Sequence, residues 1–385
     1  MTGKKPQAGH VVEMRGFREL LDPRTTPISE PVLDDASLPA VLQPTGGTTG
    51  TPKIAVLSHA SLHANVAQLH AWSDCEAGKE TVLAVLPFFH VFGSTVVLLS
   101  AIAGGSTLLL QANFNAKRVL KVMKKWKPRV APMVPFMFTA LCDEMERTGS
   151  APEGLKVCFS GAAPLAGDVQ AEFEQRTGAT IFEGYGLSEA SPVTHANPPA
   201  GNSQVGTIGI PLPNTLARIV DPQNNYALLP PGEVGELAIH GPQLMTGYLD
   251  DEEETNRVLR DGWLYTGDMA QMGTDGYFKI VDRKKDMIIS GGLNIFPAQI
   301  ESVLCSHPSV EDCAVIGVPD RKYGEKVTAY VVASNGRQID VDVLKKFCRA
   351  QLAAYKVPKT IEQRDELPRN FLGKIRRIEL RKDAA

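Results

Sequence analysis

The chain has 385 residues, 43% of them hydrophobic and 22% charged, with a formal net charge of −3. That composition suits a globular protein of two or three domains, and its charge gives no electrostatic footprint for nucleic acid. The six cysteines (Cys75, Cys142, Cys158, Cys305, Cys313, Cys348) form no CxxC pair, which excludes the usual zinc and dithiol motifs and reads as reduced thiols in the cytoplasm.

Residues 1–37 are rich in Pro, Asp and Arg without periodicity and read as a lead-in or linker. Residues 1–16 lack the apolar core of a signal peptide. From Ala40 the pattern alternates strands with helices. Leu62, Val66 and Leu69 recur at helical spacing, with Ser58 or Ser61 as N-cap. The longest apolar stretch, Thr95 to Ala103, is too short to span a bilayer. Residues 106–111 read as a buried strand, and Val119, Val122, Met123 and Trp126 as the next amphipathic helix. A strand at 129–134, a helix at 135–147, a strand at 155–161, a helix at 165–178 and a strand at 179–186 follow. The alternation predicts an α/β large domain with a parallel sheet flanked by helices. After Gly206, short strands at 217–220 and 235–241 in a Gly/Pro-rich texture predict a small β-rich subdomain. Beyond Asp282, a helix at 297–306, strands at 313–318 and 327–333, a helix at 341–353 and a basic tail predict a small α+β C-terminal domain. The run 282–286 is the linker, so the expected boundaries are 1–37, 38–284 and 285–385.

Thr45-Gly46-Gly47-Thr48-Thr49-Gly50-Thr51-Pro52-Lys53 is the strongest local motif. Its glycines let backbone N–H groups turn toward an anion, its threonines add hydroxyl donors, and Lys53 adds a positive charge. It is a phosphate cradle but no Walker A loop: Pro52 precedes the lysine and no Ser or Thr follows it. A plain Gly/Thr turn would not need so many hydroxyls. Ser160-Gly161-Ala162-Ala163-Pro164 and Glu183-Gly184-Tyr185-Gly186-Leu187-Ser188-Glu189 follow predicted strands, where parallel sheets bind ligands. Small residues admit a flat ring, Tyr185 offers a stacking face, and Glu189 is a hard oxygen ligand for Mg²⁺. Capped strand-to-helix turns are the alternative.

These motifs, with GWLYTGD (262–268), DRKKDMIISGGLNIFPAQIE (282–301) and LPRNFLGKIRR (367–377), stand in an order that resembles the adenylate-forming superfamily. FFHVFG (88–93), GYGLSE and SGGLNIFPAQIE are similar to bacterial long-chain fatty-acid CoA ligases. The resemblance implies ATP, Mg²⁺ and coenzyme A as co-substrates and cofactor, a medium- or long-chain fatty acid as the acid, and an acyl-AMP intermediate. It implies that Thr45, Gly46, Gly47, Thr48, Thr49, Gly50, Thr51 and Lys53 hold the β- and γ-phosphates. Gly161, Ala162, Ala163, Glu183, Gly184, Tyr185, Gly186 and Ile280 form the rest of the nucleotide pocket, with Gly161, Ala162 and Tyr185 at the adenine. Ser188 touches the α-phosphate and Glu189 binds Mg²⁺. Asp268 takes the ribose hydroxyls with Arg283 behind it, Lys374 acts at the adenylation step, and Lys285 is the hinge of the C-terminal domain. His90 either lines the acyl or pantetheine path or is a core histidine.

Two features depart from the pattern. Ile54 stands where relatives usually carry Gly after the loop lysine, and only 44 residues precede the loop. The expectation is an N-terminally incomplete large domain with an exposed apolar edge. Loading of an acyl carrier protein and a catalytically silent ligand-binding protein are the alternatives to CoA ligation. A peripheral association with the inner membrane face and a homodimer are compatible with the resemblance.

Overall fold

Alternating apolar strands and amphipathic helices dictate the centre of the molecule. The computed structural model describes residues 35–45, 53–73, 75–199, 202–334, 338–369 and 374–384. Most of the lead-in, the loop residues Gly46 to Pro52 and the segment 370–373 therefore lie outside the described residues. Everything from Ser37 onward falls in one compact unit.

A seven-stranded sheet runs in the order Thr107–Leu110, Thr81–Ala84, Val130–Met133, Val157–Ser160, Thr180–Gly186, Val193–Ala196, Ile210–Pro211. The first five strands are parallel and the last two pairings antiparallel. Val130–Met133, with strands on both sides, is buried at every position, as a central parallel strand covered on both faces should be. Cys158 and Ile181 face a core built with the helices Ala116–Trp126, Pro135–Thr148 and Gly167–Thr177. Phe159 and Phe182, on the opposite face, line a cavity of about 130 Å³ with Trp72, which ends the helix His59–Trp72. That helix is N-capped by Ser58, reciprocated by Ser61, so both predicted capping serines take part.

The strand over 106–111 proves to be an edge strand rather than a buried one: Leu110 is 63% exposed, and nearby Ile102 65%. Period-2 apolar content cannot tell an edge from a centre, because the neighbour is set by topology. The apolar segments 91–105 and 131–142 supply core: Val91, Val96, Val97, Ala101, Met133, Val134, Met137, Phe138 and Leu141 are all buried.

Before the sheet, Pro39–Pro44 pairs antiparallel with Ile54–Ser58, in register from Pro44 opposite Ile54. Gly247–Tyr248 adds a third strand. Ile54 is thus a strand residue. The β-rich part is an antiparallel sheet ordered Ala227–Leu228, Leu216–Asp221, Val234–His240, Trp263–Met272, Leu259–Arg260, with Phe278–Arg283 also on Trp263–Met272. The run 282–286 is only partly a linker: Asp282 and Arg283 end a strand.

The last hundred residues build their own sheet, in which Val310–Asp320 pairs with Gly324–Ala333 and Thr360–Arg364 runs parallel beside the latter. Alternation along Val310–Asp320 sends Cys313 and Val315 to the helices Pro297–Cys305 and Val341–Gln351. Ala314 and Ile316 go to the opposite face, where Leu380 of the helix Arg377–Asp383 covers them. The basic tail is therefore a docked helix. No helix among the described residues is long and apolar enough to cross a membrane.

Candidate active site

Three chain segments distant in sequence converge beyond the carboxyl ends of Val157–Ser160 and Thr180–Gly186. At the first, the chain turns through Gly161 into Ala162, whose φ of 70° puts a residue with a Cβ in the left-handed region. Such strain persists where surrounding structure over-determines it and clusters at binding sites. At the second, Gly186 must lack a side chain, since a Cβ would lie 2.3 Å from the carbonyl oxygen of Pro192 on the returning strand. The glycine flanking Tyr185 on that side thus serves backbone packing rather than exposure of the ring. Tyr185 is half-buried, edge-on to the fully buried His195 at 6.0 Å.

Asp268 is 3% exposed and sits on the strand Trp263–Met272. Its Oδ2 accepts the Tyr185 hydroxyl at 2.5 Å, and its Oδ1 pairs with Arg283 Nε at 2.8 Å. Arg283 is its direct cross-strand partner. A buried carboxylate needs such partners to stay charged, and each oxygen keeps a lone pair for a further donor. Ile280 packs beside Tyr185 in the same apolar cluster.

Lys374 is exposed to solvent, and the charges of Arg283, Asp268 and Lys285 act on its ammonium. Desolvation, with the Arg283 and Lys285 charges and against Asp268, pushes its pKa down to about 8. His90 lies in the same field: burial first, then the Lys374 charge, lowers its imidazole pKa. Its Nδ1 accepts the Phe92 N–H at 3.2 Å, and the residue is half-buried. Burial also lowers the Lys285 ammonium. The turn around Lys285 divides its neighbours. Lys284 donates its N–H to Gly267 O at 2.9 Å and its Nζ to Glu236 at 2.9 Å. Asp286 instead accepts Arg381 at 2.8 Å and Arg377 at 3.5 Å, and Arg377 also grips Glu301 with two contacts at 2.8 Å.

The phosphate-loop motif is described at its ends only. Thr45 donates its N–H to Lys53 O at 2.8 Å, closing the hairpin. Gly46, Gly47, Thr48, Thr49, Gly50 and Thr51 lie outside the described residues. Lys53 pairs with Glu254 and lies 5.2 Å from the centroid of the Tyr248 ring. Tyr248 donates its hydroxyl to Glu189 Oε1 at 2.8 Å. Ser188 and Glu189 open a single 3-10 turn after Gly186. Tyr248, Glu254 and Glu236 were not singled out by sequence reasoning. The signal was available for one of them, since Asp251 followed by three glutamates reads as a capped, acid-led helix start.

Glu183, 8% exposed, accepts the Leu165 N–H at 3.2 Å, and burial pushes its carboxyl up to about 7. Its folded-state value thus lies above the unfolded value of 4.5. The native chain therefore holds a proton that the unfolded chain releases, and this contribution to stability is full below 4.5 and lost as pH rises through about 7. Glu183→Gln should gain on wild type between pH 5 and pH 8 by at most about 2–3 kcal/mol. Thermal melts at both pH values check this; an unchanged difference in Tm would show that the carboxyl does not titrate in this window.

A family model described as AMP-binding enzyme matches residues 3–249, and one described as AMP-binding enzyme C-terminal domain matches residues 299–374. The long-chain-fatty-acid–CoA ligase of Bacillus subtilis is 44% identical over 93% of this chain. This chain spans 64% of that relative's length, less than two thirds. A feruloyl-CoA synthase of Amycolatopsis sp is 39% identical over 91% of this chain and 70% of its own. Among solved structures, ATP-bound MatB from Rhodopseudomonas palustris superposes with a TM-score of 0.84 at 33% identity, covering 91% of this chain and 69% of that one. Its apo form gives 0.70, so the arrangement here lies nearer the ATP-bound one.

Proposed function

Because the chain belongs to the AMP-binding enzyme family, we propose that it joins a carboxylic acid to coenzyme A through an acyl-adenylate, with a medium- or long-chain fatty acid as the acid. The observation that supports this reading is the Asp268 carboxylate held by Tyr185 and Arg283, with the Lys374 ammonium in the same field, in an arrangement nearer the ATP-bound relative. An acid carboxylate oxygen attacks the α-phosphorus of ATP, and the bond to the β-phosphate bridging oxygen breaks to release pyrophosphate. The CoA thiol, losing its proton, then attacks the acyl carbon and expels AMP.

Asp268, fixed by Tyr185 and Arg283, would accept the ribose hydroxyls. Tyr185, Ile280 and the Gly161–Ala162 turn would hold the adenine, and Thr45 and Lys53 would meet the outer phosphates. Lys374 would place its ammonium across the attacking and leaving oxygens, where negative charge develops. Among the described residues no group of three or more His, Cys, Asp or Glu could cage a metal. The donor set therefore suits Mg²⁺ held by one carboxylate, Glu189, together with substrate phosphates. Bound there, the ion would neutralise phosphate charge. Lys285 would be the pivot between the two half-reactions, and 285–385 the body that turns.

The names of the relatives favour CoA as acceptor, and most favour an alkyl acid. Pyrophosphate release measured across saturated acids of graded length, with ferulate alongside and with and without CoA, tests this. Each buried methylene should add about 0.8 kcal/mol until the pocket ends. Best kcat/KM with acetate or ferulate overturns the fatty-acid assignment; no release with any acid overturns the activity.

A further inference from the structure

The helix Glu252–Val258 carries a charge arrangement that the reaction scheme leaves unused. Asp251 caps it by accepting the Glu254 N–H at 3.0 Å. Thr255 ties it to the neighbouring strand, accepting the Tyr248 N–H through Oγ1 at 2.8 Å. Glu254 is thereby fixed in place. Its side chain is 14% exposed, and Arg257 clamps it through two parallel bonds of 2.5 Å, Nε to Oε2 and NH2 to Oε1. The same Oε1 also receives Lys53, the terminal cation of the phosphate loop. Hydrogen bonds from Arg257 and Lys53 hold the Glu254 carboxyl at about 2, so it is charged at any working pH.

We propose that Glu254 is a positioning residue that holds the Lys53 ammonium over the Tyr248 ring and yields it only to a ligand carrying β- and γ-phosphates. The inference rests on the nucleotide reading above and adds a competition to it. Glu254 is rigid and shares its charge with Arg257, so its pull on Lys53 is partial and a polyphosphate can outbid it. Removing the carboxylate frees Lys53. Removing Arg257 does the opposite, leaving the whole carboxylate charge to bear on Lys53.

The two substitutions therefore have opposite signs, which loss of a merely structural ion pair would not give. Equilibrium binding of ATP and of AMP is measured by calorimetry on wild type, Glu254→Gln and Arg257→Gln, with thermal melts as a folding control. Glu254→Gln should bind ATP about 3- to 5-fold tighter and Arg257→Gln about 3-fold weaker, the range of one partly exposed ion pair. AMP, which lacks the outer phosphates, should bind all three alike. ATP affinity unchanged, or moved in the same direction by both substitutions, overturns the proposal, as does an equal shift for AMP. A wild-type chain that binds ATP while the variants show no such split sinks this inference alone; a wild type that binds neither nucleotide sinks the nucleotide reading together with it.

Discussion

Replacing Lys374 by alanine is expected to cut adenylate formation by about 100- to 1000-fold, the worth of one preorganised group aimed at developing charge. Thioester formation from supplied acyl-AMP and CoA should stay near wild type, because no pyrophosphate leaves in that step. Desolvation first, then the Arg283 and Lys285 charges against that of Asp268, lower the Lys374 ammonium pKa to about 8. The charged form is the active one. The free enzyme's kcat/KM for adenylation should accordingly fall as pH rises through about 8, and Lys374→Arg should remove that fall, because a guanidinium does not titrate there. Single-turnover pyrophosphate release and thioester formation, measured separately, give the split. Equal damage to both half-reactions would end the assignment.

Lys285→Pro is expected to separate the same two steps in the other direction, sparing adenylation and abolishing thioester formation. If the C-terminal body turns at Lys285, as proposed, the side chains on either side of that residue are held by different partners. Lys284 is bound to Gly267 and Glu236 on one side, and Asp286 to Arg377 and Arg381 on the other. A turning body must change φ and ψ between these anchors. The turn itself is held by the N–H groups of Lys284, Asp286 and Met287, so proline at 285 removes none of those bonds while locking its own φ near −65°. The arrangement it locks is nearer the ATP-bound relative than the apo one. Wild-type rates in both half-reactions would mean that the chain pivots elsewhere.

The large sheet was legible because each helix announces itself: Val119 and Met123 recur on one face and Gly178 ends a helix in the left-handed region. The β-rich part was less legible. Trp263–Met272 is a ten-residue strand that starts within a motif and runs four residues past it, and its burial has no clean period, since it is paired on both sides. In the site, Asp268 and Lys374 could be named from their motifs, but not the reason they meet. Asp268 faces Arg283 because two strands align in register, and Lys374 precedes a tail helix anchored through Arg377 to Glu301. Glu254 was out of reach for the same reason. It lies 201 residues from Lys53, and only the pairing of Gly247–Tyr248 with Ile54–Ser58 brings the two together. Local propensity carries no information on such long-range registers.

The hairpin that carries the phosphate loop has a further consequence. In many phosphate loops a helix starts directly behind the ligand, and its macrodipole contributes roughly half a positive charge that nothing can remove. Here the residues after Lys53 form a strand, Ile54–Ser58. The next helix begins only at His59, and its Ser61 N–H is already taken by the Ser58 side chain and its His59 N–H by Leu38 O. The positive potential at this end of the loop therefore comes from a side chain rather than from the fold. A macrodipole is permanent, whereas an ammonium can be lent to a neighbouring carboxylate and taken back, so on the reading proposed above the anion affinity of this loop would be set by the helix that carries Glu254.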